Sequence, residues 1–144
     1  MRHRGPDAVG SYVSENKKVG LGFRRLAIID LSPQANQPMS NNDNTLHIVF
    51  NGEIYNHEIL RREIEKRGFR YRSRSDTETI LYGYEVWGKE VVNKLLGMFA
   101  VAIYDSRKNE LFIARDRIGV KPLYYTFVDG TFLFASEIKG ILQF

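Results

Sequence analysis

Three places in the sequence carry residue types suited to chemistry on a small polar ligand. The first is Asn51-Gly52-Glu53, inside "TLHIVFNGEIYNHEIL" (Thr45 to Leu60), where strand-like residues give way to the opening of a helix. Asn-Gly is the commonest hairpin pair, yet no second strand follows it. A carboxamide N–H beside an unobstructed glycine N–H would make an oxyanion hole, and the absent side chain of Gly52 would let a substrate approach the backbone. A plain strand-to-helix turn with Asn-Gly in the left-handed conformation accounts for the same residues. The second place is Arg25, within the otherwise apolar "RRLAIID". Its guanidinium could grip a carboxylate in bidentate fashion, or serve as a strand-edge charge. The third is Asp76, in the first turn of an expected helix, where it could face an ammonium group or act as a cap. A carboxylate receptor, an amine receptor and an oxyanion hole together describe a pocket for a free α-amino acid with a side-chain carbonyl. Glutamine is the first candidate.

Other motifs lead nowhere. "GYEVWGKE", Gly83 to Glu90, has the spacing of a phosphate-binding loop as far as Lys89. Glu90 stands where the required hydroxyl belongs, and Tyr84 and Trp87 fall on a helical stripe that already uses the backbone N–H groups. His3, His47 and His57 show no metal-ligand spacing, so no metal site is expected. There is no Gly-x-Ser-x-Gly turn. With no cysteine in the sequence, disulfides, thiolate ligands and a cysteine nucleophile within these residues are excluded.

The elements that must position the three places can be read from periodicity. Val19 to Asp30 reads as a strand with a break near Arg24-Arg25, and Leu31 to Asn44, rich in Pro, Asn and Ser, as a loop. "TLHIVF" is a strand with Leu46, Ile48 and Phe50 on one face. A helix is expected from Asn56 as N-cap to Gly68, with Leu60 and Ile64 one turn apart. A second starts at Ser75, which has capping-box spacing to Glu78; it carries Ile80, Leu81, Tyr84 and Trp87, and Gly88 stops it. "KEVVNKLLG" reads as a short third helix closed by Gly97. "FRYRSRS" reads as an edge strand with Arg70, Arg72 and Arg74 on one face. Two hairpins follow: "MFAVAIYD" with "ELFIARD", and "LYYTFV" with "TFLFAS" around Asp129-Gly130, the type I′ pair. Their strands are apolar at nearly every position, so both faces should be covered, which points to layered sheets with helices outside.

Composition sets the frame. A chain of 144 residues, 43% hydrophobic and 26% charged, suits one domain over residues 1–144 with a substantial core. No apolar run reaches the length of a membrane span, and no apolar stretch follows the basic residues of "MRHRGPD", so a cytoplasmic chain with no membrane partner is expected. The net charge of +4 is small. No nucleic-acid partner is expected, because the aromatic residues of "FRYRSRS" alternate away from its arginines and offer no stacking platform.

Seven ordered blocks, "HRGPD", "RRLAIIDLSPQANQPM", "FNGEIYNHEILR", "SDTET", "GMFAVAIYD", "ARDRIGVKPLYY" and "FASEIK", closely resemble the glutaminase domain of glutamine-hydrolysing asparagine synthetases. The resemblance implies a class II glutamine amidotransferase domain with an N-terminal-nucleophile hydrolase-like fold: α+β, an αββα sandwich of two antiparallel sheets between helix layers. It implies that Asn51 and Gly52 hold the tetrahedral oxyanion, Arg25 the substrate carboxylate and Asp76 its α-amino group, with Glu53 lining the same pocket. In that family an N-terminal cysteine attacks the glutamine carboxamide, its own α-amine acts as base, and ammonia passes to a domain that uses ATP to amidate aspartate. L-Glutamine and a synthetase domain or subunit are therefore the expected partners. Family members begin with Met-Cys-Gly ahead of a strand, whereas "HRGPD" here starts at residue 3. The sequence is accordingly expected to be truncated, lacking the Cys segment and the synthetase domain that would hold ATP and Mg, to need no cofactor of its own, and to be inactive by itself. The alternative expectation is a stand-alone protein that binds glutamine or a synthetase subunit without catalysis.

Overall fold

Strand geometry turns the pattern of Leu46 to Ile54 into a two-sided element, because successive side chains leave opposite faces. The structure, a computed structural model that describes residues 5, 7–25 and 32–144, buries both sides. This strand, β4 (Leu46–Ile54), lies in a four-stranded antiparallel sheet between β3 (Met39–Ser40) and β5 (Gly97–Asp105), with β6 (Glu110–Arg115) beyond β5. Register pairs Ile48 with Ile103, Asn51 with Ala100 and Gly52 with Phe99.

On one face Ile48, Phe50, Ile54, Val101 and Ile103 pack against Ile80, Leu81 and Tyr84 of α2 (Asp76–Trp87). On the other, Val49, Ala102 and Tyr104 meet Leu21 and Phe23 of β2 (Gly20–Arg25) and Phe134 of β8 (Thr131–Ala135). β2 pairs with β1 (Ala8–Val13), and β8 pairs with β7 (Tyr124–Val128), so the second layer consists of two antiparallel hairpins. The fold is α+β: helices, a four-stranded sheet, then the paired hairpins. Beside these, α3 (Ile138–Ile141) packs on β7 and β8.

The two main helices follow the sequence closely. α1 (His57–Glu65) buries Leu60 and Ile64. Asn56 precedes it, but its side chain donates to the Lys94 carbonyl and accepts the Leu96 N–H, both at 2.9 Å, rather than capping the helix. Ser75 caps α2 by accepting the Thr77 N–H at 3.1 Å. Glu78 does not close a capping box; it accepts the Arg72 and Ser73 N–H groups, both at 2.8 Å. Those bonds occupy the backbone that a strand would need, so "FRYRSRS" is irregular rather than an edge strand. Its alternation survives all the same: Phe69 and Tyr71 each pack 5.2 Å from the Tyr82 ring while Arg70, Arg72 and Arg74 stay exposed.

Further expectations are corrected. The segment after α2 is a 3-10 turn, Gly88–Asn93, and Gly97 opens β5 instead of closing a helix. The loop from Leu31 to Asn44 contains a 3-10 turn at Pro33–Ala35 and the short β3; Leu31, like residues 26–30 of the expected strand, lies outside the described residues. The hairpin turn forms as expected, with positive φ of 48° at Asp129 and 74° at Gly130. Complete coverage of the hairpin strands holds for β5 but not for β7, where Tyr125 and Phe127 are 67% and 70% exposed because β7 and β8 form a sheet of their own.

Gly97 is required by proximity rather than by turn geometry. A Cβ there would lie 2.2 Å from the Glu53 carbonyl oxygen and 2.9 Å from Ile54 Cα, both backbone atoms that cannot step aside. Gly97→Ala should therefore destabilise the fold by about 1–3 kcal/mol, as overpacking does elsewhere. Urea unfolding measures this, and an unchanged midpoint would show that β4 and β5 are not so closely apposed at this end.

Candidate functional site

The site begins with a pattern along the outer edge of β4. In an antiparallel pair, residues alternate between facing their partner strand and facing away. Phe99 of β5 donates its N–H to Asp116 Oδ2 (3.2 Å), and its carbonyl accepts the Asp116 N–H (2.8 Å), so it turns its polar groups away from Gly52. The even-numbered N–H groups of β4 consequently point to the opposite edge. There the Leu46 N–H reaches Asn41 Oδ1 (3.0 Å), Ile48 pairs with Met39 of β3, the Phe50 N–H reaches Gln37 Oε1 (2.6 Å) and the Ile54 N–H reaches Asp76 Oδ2 (2.9 Å). The Gly52 N–H falls between the last two, and no acceptor among the described residues takes it.

Asn51-Gly52 is thus neither a hairpin nor a strand-to-helix turn. β4 runs on to Ile54, and Gly52 has no positive φ. The close approach that this glycine permits is that of β5, since a Cβ would lie 2.2 Å from the Met98 carbonyl oxygen and 2.8 Å from Phe99 Cα.

Over β4 and β5, between β2 and β8, lies a cavity of about 390 Å³ whose walls include Arg25, Asn51, Gly52, Glu53 and Asp76. All five residues expected from the sequence are therefore brought together. Arg25, at the end of β2, is buried; its Nη1 donates to the Ser32 carbonyl (2.9 Å) and to Asn36 Oδ1 (2.7 Å). The Asn51 carboxamide donates to Ser136 Oγ at 3.4 Å, which leaves its second N–H unassigned. Glu53 is exposed at the rim. Asp76, the first residue of α2, is only 4% exposed. Burial pushes its carboxyl above the ordinary value of 3.8, against the opposing effects of the Ile54 N–H, nearby His57 and the Thr77 N–H. One carboxylate thus closes the β4 edge and presents charge to the cavity.

Sequence reasoning missed Gln37, Lys121 and Ser136, which also line the cavity. Gln37 is a buried clip whose Oε1 accepts from Phe50 and whose Nε2 donates to Thr77 Oγ1 at 3.2 Å, joining the β4 edge to the start of α2. Its partners lie far along the chain, so local spacing gives no signal for it. Ser136 and Lys121 fall in "FASEIK" and "ARDRIGVKPLYY", blocks visible in the sequence without a chemical role attached. Among the described residues no group of three or more His, Cys, Asp or Glu is placed to hold a metal ion, and no helix is long and apolar enough to cross a membrane.

Comparison with known proteins supplies independent information. A family model described as a glutamine amidotransferase domain matches residues 1–144. The chain is 46% identical over 140 residues to asparagine synthetase [glutamine-hydrolyzing] 1 of Bacillus subtilis, covering 97% of this chain and 22% of that protein. It is 43% identical to asparagine synthetase B [glutamine-hydrolyzing] of Escherichia coli, covering 99% and 25%, and 42% identical to the amidase chry2 of Gibberella zeae, covering 100% and 21%. The chain therefore spans between a fifth and a quarter of the length of these relatives. Among solved structures, glutamine phosphoribosylpyrophosphate amidotransferase from B. subtilis superposes with a TM-score of 0.72 at 23% identity over 85% of this chain and 28% of that one, a likeness of fold.

If Gln37 closes the edge next to Gly52, Gln37→Leu should leave the Phe50 N–H buried without an acceptor and lower stability by about 1–3 kcal/mol. Denaturant unfolding compares the two proteins, and a loss smaller than about 0.5 kcal/mol would remove Gln37 from this role.

Proposed function

The chain belongs to the glutamine amidotransferase domain family, and from that premise we propose that residues 1–144 form the glutamine-recognising part of an asparagine synthetase-type amidotransferase. The observation that carries this reading is the open Gly52 N–H, flanked by two occupied ones and adjoining the Asn51 carboxamide in a cavity that also holds Arg25 and Asp76. Arg25 takes the α-carboxylate of L-glutamine, Asp76 the α-ammonium, and Glu53 borders the bound amino acid at the rim. The side-chain carbonyl points at the Gly52 N–H and the second N–H of Asn51. As a nucleophile adds, negative charge grows on that oxygen, and two fixed donors stabilise it more than they stabilise the neutral amide.

The nucleophile lies outside these residues. The 144 residues hold no cysteine, whereas the family resemblance implies an N-terminal cysteine whose own amine takes its proton. Joined to a synthetase domain, such a site would supply ammonia for ATP-dependent amidation of aspartate. The relatives named asparagine synthetase support that reading of the acceptor.

Asp76 gives the reading a sharp test. In Asp76→Asn the amide oxygen still accepts the Ile54 N–H, so the fold is kept. A carboxyl with a raised pKa opposes folding once ionised, because the folded state holds its proton longer than the unfolded chain does. The variant should therefore unfold at the same or a higher temperature at neutral pH, yet lose at least about tenfold in affinity for L-glutamine by calorimetry, the effect of losing a charge-assisted contact. In the parent chain, affinity should fall as pH drops, beginning above the ordinary carboxyl value of 3.8, while Asp76→Asn shows no such dependence. Equal affinity of the parent and variant chains for glutamine would overturn the Asp76 assignment.

Assayed alone, residues 1–144 should release no ammonia from L-glutamine above background, since an oxyanion hole without its nucleophile retains only a small residual rate. Coupled ammonia detection decides this. Robust release would show that another group in the chain attacks the amide and that the mechanism above is wrong.

A further inference from the structure

Three cationic residues line the cavity, Arg24, Arg25 and Lys121, and only Arg25 has been given a task. Arg25 is tied to Ser32 and Asn36, and the next residue, Gln37, bonds Phe50 on the outer edge of β4. Lys121 approaches from the β5 side. Its N–H donates to Asp116 Oδ2 (3.0 Å) and the preceding Val120 N–H to Asp116 Oδ1 (2.9 Å). The same carboxylate takes the N–H of Phe99, the residue paired with Gly52. Arg115 fastens the other side of this loop, with Nε to the Lys121 carbonyl and Nη2 to the Gly119 carbonyl, both at 2.6 Å. Asp116 remains ionised below its ordinary range: burial acts against this, but the N–H groups of Lys121, Val120, Phe99 and Gly119 outweigh it. The loop backbone is therefore held from two directions at a residue, Lys121, that lines the cavity. Among the described residues no carboxylate pairs with its ammonium.

The charged residues lining the cavity are Arg24, Arg25, Lys121, Glu53 and Asp76. An amino acid anchored by its α-carboxylate at Arg25 and its ammonium at Asp76 extends its side chain across Asn51 and Gly52 toward the flank that carries Lys121. Glutamine brings a neutral carboxamide there. Glutamate brings a carboxylate, able to accept from Gly52 and Asn51 and to pair with the ammonium.

We infer that Lys121 is a receptor for the distal carboxylate of L-glutamate, so that this cavity holds the product of glutamine hydrolysis more tightly than glutamine itself. The inference rests on the glutamine-site reading above and extends it. In that hydrolysis the C–N bond of the carboxamide breaks and water supplies the new oxygen, so that glutamine and water become glutamate and ammonium at neutral pH. The anion that forms lies on the Lys121 flank, and glutamate is retained and competes with the next glutamine.

Calorimetry on residues 1–144 with L-glutamate and L-glutamine, on the parent chain, Lys121→Met and Lys121→Arg, tests this. The parent should bind glutamate about three- to tenfold more tightly than glutamine, a margin in keeping with a partly exposed ion pair supported by two hydrogen bonds. Lys121→Met, which keeps the apolar stem, should lose that preference while its glutamine affinity stays within about twofold of the parent's. Lys121→Arg should retain it. A parent that binds glutamate no better than glutamine overturns the inference while leaving the glutamine site standing. So does a Lys121→Met variant that weakens both ligands equally or keeps the preference. Binding of neither amino acid to the folded parent chain overturns the glutamine site itself, and this inference with it.

Discussion

The structure depends on one constraint, the need to satisfy every N–H along the outer edge of β4. A buried strand cannot leave its polar groups unpaired without losing stability. β3 is only two residues long and covers a single stretch of that edge. The remainder is closed by side chains from elsewhere: Asn41, Gln37 and Asp76 each bring an oxygen to one N–H. Among the described residues the exception is Gly52, which takes no acceptor and lines the cavity. An unpaired donor in such a setting draws an acceptor from a ligand. On either side of Gly52 the Phe50 and Ile54 N–H groups are closed.

Asp76 shows how the same constraint couples fold to chemistry. Its carboxylate is buried, which disfavours charge, and part of the compensation comes from accepting the Ile54 N–H at the start of a helix whose dipole also favours a negative group. The helix is held in turn by the packing of Ile80, Leu81 and Tyr84 against one face of the sheet, while the cavity opens on the opposite face. The apolar core and the site therefore share β4, each using alternate residues. A one-residue slip in register would exchange them.

Much of this was legible in the sequence. The alternation of Leu46, Ile48 and Phe50, the Leu60 and Ile64 pair, the Ser75 cap and the Asp129-Gly130 turn all reflect short-range physics, and each appears as read. The five candidate residues that line the cavity could be named because their types suit the ends of an amino acid and because the ordered blocks match a known family. What failed was decided over longer distances. Gly97 was read as a helix stop because glycine commonly ends helices, yet it is there to admit the Glu53 carbonyl from another strand. "FRYRSRS" alternates like a strand, but its backbone is claimed by Glu78. The turn offered as the other account of Asn51-Gly52 is absent, because Gly52 lies within a continuous strand paired with Phe99. Gln37 gave no signal at all, because its partners are Phe50 and Thr77.

The central claim, that the Gly52 N–H takes no acceptor among the described residues and receives the side-chain carbonyl of L-glutamine, can be read directly from amide hydrogen exchange and 15N–1H shifts. In the free chain the amides of Phe50 and Ile54 should be protected while that of Gly52 exchanges freely. Saturating L-glutamine should then protect Gly52 and move its proton downfield, with little change at the other two. A Gly52 amide already protected without ligand, or one that neither shifts nor gains protection when glutamine binds, would contradict the account.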